Sequence, residues 1–177
     1  MIFKKLKTLR RKIRCKFNLS IMRLNKVHPT SLISLSKKIS RNLEMGPYGY
    51  IGPNAEILQN VVMGKYVMIG AHFIVAGNDH NYQKPGIPII FSGRPIPKDT
   101  IIEDDVWIGT RVTIKSGIRI SRGAVIAAGS VVVKDVNPYE VIGGIPALKI
   151  KDRFTYEHKI IHDKMLKKEP FESLYCD

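Results

Sequence analysis

The sequence has few cysteines, no long apolar run and no acidic residue among its first 43 positions. The two cysteines, Cys15 and Cys176, lie near opposite ends of the 177 residues, which excludes a disulfide framework or a four-cysteine zinc site and favours a reducing compartment. No apolar stretch approaches the roughly 18 residues of a membrane-spanning helix, and the basic N-terminus lacks the apolar region of a secretory signal. With 44% hydrophobic residues, the composition predicts one folded, cytoplasmic domain.

The positive charge is concentrated in one part of the chain. Thirteen of the 29 basic residues precede Glu44, the first acidic residue, whereas the remainder carries 16 basic and 15 acidic residues. The net charge of +14 therefore belongs to an N-terminal arm, and the body of the protein is almost neutral. Because contacts to a phosphate backbone require basic residues on the folded surface, the body is not expected to bind nucleic acid.

Residues 1–30 form this basic arm, and apolar side chains recur in it at helical spacing. The pattern predicts an amphipathic helix, which can lie on an anionic membrane surface. We therefore expect residues 1–26 to contact the inner membrane face; the alternatives are a helix that packs on its own domain and a solubilising arm. The apolar stripe comprises Ile2, Leu6, Leu9, Ile13 and Phe17.

A period of six residues organises the middle of the chain. Every sixth position from residue 33 to residue 75, and again from residue 102 to residue 132, is apolar, and glycine often follows directly. Neither the helical period of about 3.6 nor the strand period of two produces this spacing. The anchors are Ile33, Ile39, Met45, Ile51, Ile57, Met63, Ile69 and Val75, then Ile102, Ile108, Ile114, Ile120, Ile126 and Val132.

A repeat of six suits a short strand followed by a corner, and three such units close a triangular coil of about 18 residues. Inward anchors would stack into a continuous apolar column, and glycine and other small residues would permit the corners. We predict an all-β solenoid over residues 31–151; the alternative is a β-sandwich with fortuitous spacing. The C-terminal segment, residues 152–177, mixes apolar and charged residues and predicts a helical cap over the last coil.

The repeat breaks once. Val75 and Ile102 are 27 residues apart, which is not a multiple of six, so a loop over residues 79–100 is inserted. A long loop on the smooth wall of a solenoid creates a cleft, and such loops are commonly functional. His80 opens the loop and could take a proton from a hydroxyl near neutral pH, with Asp79 as an orienting carboxylate. The alternative is a solvated surface histidine.

Two segments carry a resemblance to a known family: Asn-Asp-His-Asn-Tyr at residues 78–82 and Glu-Asp-Asp-Val-Trp-Ile-Gly at residues 103–109. They resemble the acetyl-CoA-dependent hexapeptide-repeat acyltransferases, most closely the maltose, galactoside and polysaccharide O-acetyltransferases. Over residues 33–137, with a tail motif at 146–153, the resemblance implies a left-handed parallel β-helix and a homotrimer with active sites between subunits. It implies that His80 is the general base. Candidate contacts of the acceptor are Asp79, Asn81, Tyr82 and His72, although His72 could instead be an ordinary polar residue of the subunit interface.

The resemblance also implies that the pantetheine arm of acetyl-CoA runs along the coils of residues 102–137. It assigns this arm to Trp107, Gly109, Thr110, Ala127 and Ala128. The small residues could instead only shape coil corners, and Trp107 could instead lie in the core or at the trimer interface. Lys134 matches a lysine of the family, but Val133 replaces the usual threonine before it.

The CoA phosphates are assigned to a basic cluster near the end of the coils. Leu148 stands where the family has a basic residue, and the cations Lys149, Lys151 and Arg153 follow just beyond. Any of the three could meet a phosphate, and the sequence does not decide between them.

No metal is expected. The zinc carbonic anhydrases of the gamma class share this fold but need three histidines in the central coils, and only His72 and His80 are available here. The predicted function is transfer of an acetyl group from acetyl-CoA to a saccharide hydroxyl in cell-surface polysaccharide synthesis. An amino sugar, serine or an antibiotic as the acceptor, and a non-enzymatic β-helix scaffold, remain as alternatives.

Overall fold

The computed structural model describes residues 2–77 and 79–171, without the side chains of residues 2–9 and 11. The side chains of the predicted stripe residues Ile2, Leu6 and Leu9 therefore lie outside the described part, as does the end of the predicted cap with Cys176. Helix α1 spans Ile2–Met22, and helix α2 spans Tyr156–Leu166. The strands are β1 Leu32–Ile33, β2 Glu44–Met45, β3 Tyr50–Ile51, β4 Glu56–Ile57, β5 Val61–Met63, β6 Met68–Ile69, β7 Ile74–Ala76, β8 Thr100–Ile102, β9 Trp107–Ile108, β10 Thr113–Lys115, β11 Arg119–Ile120, β12 Val125–Ile126, β13 Val131–Val132, β14 Glu140–Gly144 and β15 Ala147–Asp152.

The strands form three sheets that the chain visits in rotation, which confirms the predicted parallel β-solenoid. Sheet 1 has the order β1-β3-β6-β9-β12-β14-β15, sheet 2 the order β13-β10-β7-β4, and sheet 3 the order β11-β8-β5-β2. Every pairing is parallel except the terminal hairpin of β14 and β15. We name the corner between sheets 1 and 2 corner A, the corner between sheets 2 and 3 corner B, and the corner between sheets 3 and 1 corner C.

The six-residue anchors stack in register, as the period predicts. Ile33, Ile51 and Ile69 pair at intervals of 18 residues, and Ile69 pairs with Ile108 across the inserted loop. All anchors from Ile51 to Ile126 are at most 3% exposed. The second apolar residue of each unit, such as Val67 or Val106, is buried as well. Burial of these side chains is the main favourable term of the fold.

The corners show that glycine does not have the expected role. The residue three positions after most anchors has positive φ and is often not glycine, as at His72 (φ 58°) and Arg111 (φ 56°). The glycine directly after an anchor is needed for a different reason: a Cβ on Gly70 would lie 2.7 Å from the backbone nitrogen of Thr110 in the next coil. Stacked coils approach too closely at this position for any side chain.

Helix α1 covers the N-terminal end of the solenoid. Leu19 and Met22 of α1 join the apolar core, and the Asn18 amide donates to the Ile33 carbonyl at 3.0 Å. At the other end, strand β15 pairs antiparallel with β14, which departs from the parallel coils predicted up to residue 151. The C-terminal helix is present as predicted, and Thr155 caps its first turn. It does not cover the last coil, because α2 lies along corner C, where its side chains contact Asp105 and Arg122 of successive coils.

Helix α2 is fastened to the coils by a partly buried polar cluster. Arg122 donates two hydrogen bonds to Asp163, at 2.6 and 3.0 Å, and the Tyr139 hydroxyl donates to the same carboxylate at 2.5 Å. The Arg122 guanidinium holds the pKa of Asp163 at about 2, and burial raises the pKa of Tyr139 to about 12. The folded state thus favours the charged carboxylate and the neutral phenol.

A matched pair of isoleucine variants tests the column. Ile108→Ala removes a side chain with 0% exposure, whereas Ile161→Ala removes one that is 65% exposed on α2. We expect Ile108→Ala to lower the free energy of unfolding by about 2–5 kcal/mol and Ile161→Ala to change it by less than about 0.5 kcal/mol. Urea denaturation at fixed protein concentration measures both, and equal effects would contradict the stacked column.

The Asp163 cluster predicts a stability loss in acid. The pKa of Asp163 lies below its ordinary 3.8, so its contribution is complete above pH 4 and is lost as the pH falls toward about 2. We expect this loss to be about 1–2 kcal/mol, since the side chain is partly screened by solvent. Asp163→Asn should be less stable at pH 7 and should lose less between pH 4 and pH 2. Asp99→Asn, an exposed loop variant, should behave like the wild type in the same denaturant titrations.

Candidate functional site

The inserted loop leaves the prism at corner B, between β7 and β8, and His80 lies at its start. The His80 side chain is 44% exposed, and its Nδ1 lies 3.2 Å from Oδ2 of Asp79. A carboxylate this close to Nδ1 favours the proton on Nδ1, which keeps the lone pair of Nε2 available to a substrate. The two neighbouring side chains thus lie close together at the start of the loop.

A small hydrogen-bond network shapes the loop behind His80. Ser92 is 3% exposed, and its hydroxyl lies within hydrogen-bond distance of the carbonyls of Asn81 and Ile89, which share its single proton. Asn81 in turn donates its backbone N–H to Gly93 and its amide to the Ser92 carbonyl, at 2.9 and 3.2 Å. Asn81, predicted on the acceptor side, is thus engaged in holding the loop, whereas Tyr82 is exposed and available for contact.

Corner A brings together five of the predicted residues. Thr110 and Gly129 are joined by a backbone hydrogen bond of 2.9 Å, and a Cβ on Gly109 would lie 2.6 Å from the backbone nitrogen of Ala128. The Thr110 hydroxyl donates to the Ala71 carbonyl at 2.9 Å, so toward a ligand it can only accept. The edge is flat and lined with small groups, which lets an extended chain approach the backbone. The predicted residues on it are His72, Gly109, Thr110, Ala127 and Ala128.

A groove of about 580 Å³ lies on the outer face of sheet 1 toward corner C. Trp107, Lys151 and Arg153 all line it, and Trp107 is half exposed rather than part of the core. Arg153 donates to the Asp105 carboxylate at 2.8 Å and to the Gly123 carbonyl at 3.1 Å. Arg153 therefore holds the end of the coils together, and Lys151 is the cation of this groove that takes part in no ion pair among the described residues.

The remaining predicted cations lie apart from this groove. Lys149 is placed between Asp152, at 3.2 Å, and Glu140, at 3.6 Å, which offsets its charge. Lys134 is exposed at corner B, on the same edge of the prism as His80. One chain thus spreads the predicted site over three corners that face in different directions, and no corner holds the base together with the small-residue edge.

A second groove, of about 800 Å³, was not anticipated from the sequence. It lies between α1 and the outer face of sheet 1, where Tyr48 and Tyr66 stack with ring centroids 5.8 Å apart. Arg10 and Arg14 of α1 line its other side. The sequence could not predict this groove, because the helical pattern alone does not indicate which side of α1 packs on the coils.

Residues 2–77 and 79–171 contain no cluster of three or more histidine, cysteine, aspartate or glutamate side chains arranged to hold a metal ion. Within the same residues, no helix combines the length and the apolar character needed to cross a membrane.

Comparison with known proteins supports the repeat. Residues 99–134 match the family described as bacterial transferase hexapeptide (six repeats), which covers the two coils directly after the loop. The match confirms the predicted six-residue repeat over this part of the chain.

Three individual proteins show the range of this likeness. A chloramphenicol acetyltransferase of Klebsiella aerogenes is 42% identical over 101 residues, which are 50% of this chain and 48% of that protein. The chain thus spans about half the length of the curated relatives it matches. A hexapeptide-repeat acetyltransferase of Vibrio cholerae O1 biovar eltor, solved with acetyl coenzyme A, has 25% identity and a TM-score of 0.62, covering 85% of this chain and 90% of that one. The polySia specific acetyltransferase NeuO has 28% identity and a TM-score of 0.59, covering 78% and 72%.

The Ser92 network predicts how firmly the loop is held. Ser92→Ala removes the hydroxyl that bonds to the Asn81 and Ile89 carbonyls. We therefore expect the loop to open more often and chymotrypsin to cleave after Tyr82 several-fold faster. The melting temperature should change little, because the coils are untouched. Ser36→Ala, in the first coil, is the control and should not alter cleavage. An unchanged cleavage rate in Ser92→Ala would contradict the role of this network.

Proposed function

We propose that this protein transfers an acetyl group from acetyl-CoA to a saccharide hydroxyl in cell-surface polysaccharide synthesis. The observation that carries the proposal is the 3.2 Å contact of His80 Nδ1 with Asp79, on a loop ejected from a hexapeptide-repeat prism. The contact leaves Nε2 to accept a proton, and the exposure of the ring leaves it accessible to a bulky, hydrated acceptor.

The residues of the prism fit acetyl-CoA. Corner A offers a strip where Gly109 adds no side chain and the exposed Ala128 adds only a methyl group, as a narrow pantetheine chain requires. Trp107 adds an exposed apolar ring beside it, and Lys151 and Lys134 are exposed cations suited to the phosphates. Lys149 and Arg153 are also proposed to contact the phosphates, although both are paired with carboxylates.

The chemistry follows from the orientation of His80. Acetyl-CoA supplies a thioester whose carbonyl carbon accepts a nucleophile. His80 Nε2 takes the proton of the acceptor hydroxyl as its oxygen bonds to that carbon, and the carbon–sulfur bond breaks. The protonated imidazole, stabilised by Asp79, returns the proton to the departing sulfur. Tyr82 and His72 are proposed to contact the acceptor, with Asn81 shaping the loop beneath it.

We propose the left-handed coil of the resembled family for each chain. We also propose its homotrimer, because a complete site requires a second chain. His80 at corner B and the strip at corner A cannot meet within one chain, whereas neighbouring chains can bring them together. The outer surface of the loop supports this: Ile90, Phe91 and Ile96 are 77%, 76% and 87% exposed. Such a surface normally lies against a partner.

The acceptor has two candidates. A saccharide is supported by the likeness to the polySia specific acetyltransferase. An antibiotic hydroxyl is supported by the 42% identity to a chloramphenicol acetyltransferase over half of the chain. CoA release with a panel of glycans, amino sugars, serine and chloramphenicol separates them, and turnover of chloramphenicol above all sugars would overturn the saccharide assignment. Because the donor is acetyl-CoA, the proposed location is the cytoplasm, with residues 1–26 toward the inner membrane face.

His80→Ala tests the proposed base. We expect kcat/KM to fall by about 10²–10⁴-fold with the preferred acceptor, while acetyl-CoA binding stays within about twofold. Asp79→Asn should cost less, because it weakens the orientation of the imidazole without removing it. His28→Ala, an exposed histidine in the first coil, is the matched control. Loss of acetyl-CoA binding, or full activity without His80, would contradict the proposed role.

A further inference from the structure

Helix α1 has two faces, and only one of them packs on the prism. Cys15, Asn18, Leu19 and Met22 point toward the coils and are at most 9% exposed. These four are not the apolar stripe of the sequence; one of them is a polar amide that bonds to Ile33. The helix is therefore held to its own domain by a side other than its regular apolar stripe.

The stripe itself faces solvent. Ile13, Phe17 and Ile21 are 60%, 64% and 53% exposed, and their spacing of four residues places them along one side of the helix. Toward the N-terminus, the sequence continues the stripe at helical steps of three or four residues through the apolar positions 9, 6 and 2. A row of large apolar side chains left in water on a folded protein marks an interaction surface.

The charge around this stripe has one sign. Helix α1 carries eight lysine and arginine residues and no acidic residue over Ile2–Met22. Lys16 and Arg14 are exposed beside the stripe. A protein surface that covered the stripe would have to bury or neutralise these cations, whereas anionic lipid headgroups neutralise them while the apolar side chains enter the acyl region.

We propose that α1 is a bifacial membrane adaptor, in which the outward stripe of Ile13, Phe17 and Ile21 inserts into an anionic bilayer while Cys15, Asn18, Leu19 and Met22 stay bound to the first coil. The helix would then lie in the membrane plane as a rigid part of the protein rather than as a tethered arm. The proposed acetyl transfer is not needed for this binding, so the two proposals fail separately.

Vesicle sedimentation of the full chain tests the proposal. The probes are vesicles of phosphatidylcholine alone and vesicles with one third phosphatidylglycerol. We expect binding to the anionic vesicles only, weakening as salt is raised. The double variant Ile13→Glu/Phe17→Glu should bind them at least about tenfold more weakly, because two charges would enter the acyl region.

The control is Ile160→Glu/Ile161→Glu on α2, where both residues are exposed, by 40% and 65%. It makes the same change in net charge and should bind vesicles within about twofold of the wild type. Ile13→Leu/Phe17→Leu should retain binding. If the double variant does not fold, Phe17→Ser, which adds no charge, replaces it and should weaken binding several-fold.

Three results would overturn the proposal. Unchanged vesicle binding in the glutamate variant would show that the stripe does not insert. A lower oligomeric mass in that variant would show that the stripe lies between subunits. Binding of duplex DNA by the wild type at the same salt, as tight as binding of anionic vesicles, would show a general affinity for polyanions. Activity toward a soluble acceptor should be the same in all variants, which separates this result from failure of the proposed function.

Discussion

Stacking of coils through backbone hydrogen bonds, with one apolar anchor per six residues buried inside, determines everything else in this molecule. Gly70 donates its N–H to the Ile108 carbonyl, and Gly109 donates to the Ile126 carbonyl, at 2.8 and 2.9 Å. The chain can satisfy these bonds only if each corner turns in the same way. The glycine after the anchor must then leave room for the next coil, while the residue two positions later must adopt positive φ. Core, corners and edges are set by this single repeat.

This regularity explains where the candidate chemistry lies. A prism of this kind offers flat walls and narrow edges, so an active site can arise only where the repeat is interrupted or where two prisms meet. Here the interruption carries His80 and Asp79 at corner B, the small-residue strip runs along corner A, and Arg153 binds the last coils at corner C. The division of these groups among corners gives a physical reason for an oligomer in which chains complete each other's sites.

The sequence was sufficient for the column and for the place of the loop, because the six-residue period follows from the buried positions themselves, whereas the role of His80 as the base stays a prediction. It could not give the left-handed corner at His72, since a single position with positive φ has no residue signature unless glycine occupies it. The fixing of Asn81 by Ser92 and the pairing of Arg153 with Asp105 depend on contacts between distant residues. The sequence also did not predict whether the apolar stripe of α1 faces the coils or the outside, because periodicity identifies an apolar face without indicating what it contacts.

Co-assembly of two inactive chains tests the central claim that each site is shared. Chains with His80→Ala are co-expressed with chains in which Ala128→Trp blocks the corner A strip, and mixed oligomers are isolated with two different tags. If a base of one chain serves the strip of its neighbour, each isolated mixed trimer holds one intact site of three and should show about a third of the wild-type activity. Mixed oligomers as inactive as their parents, although intact and of unchanged mass, would contradict the shared site.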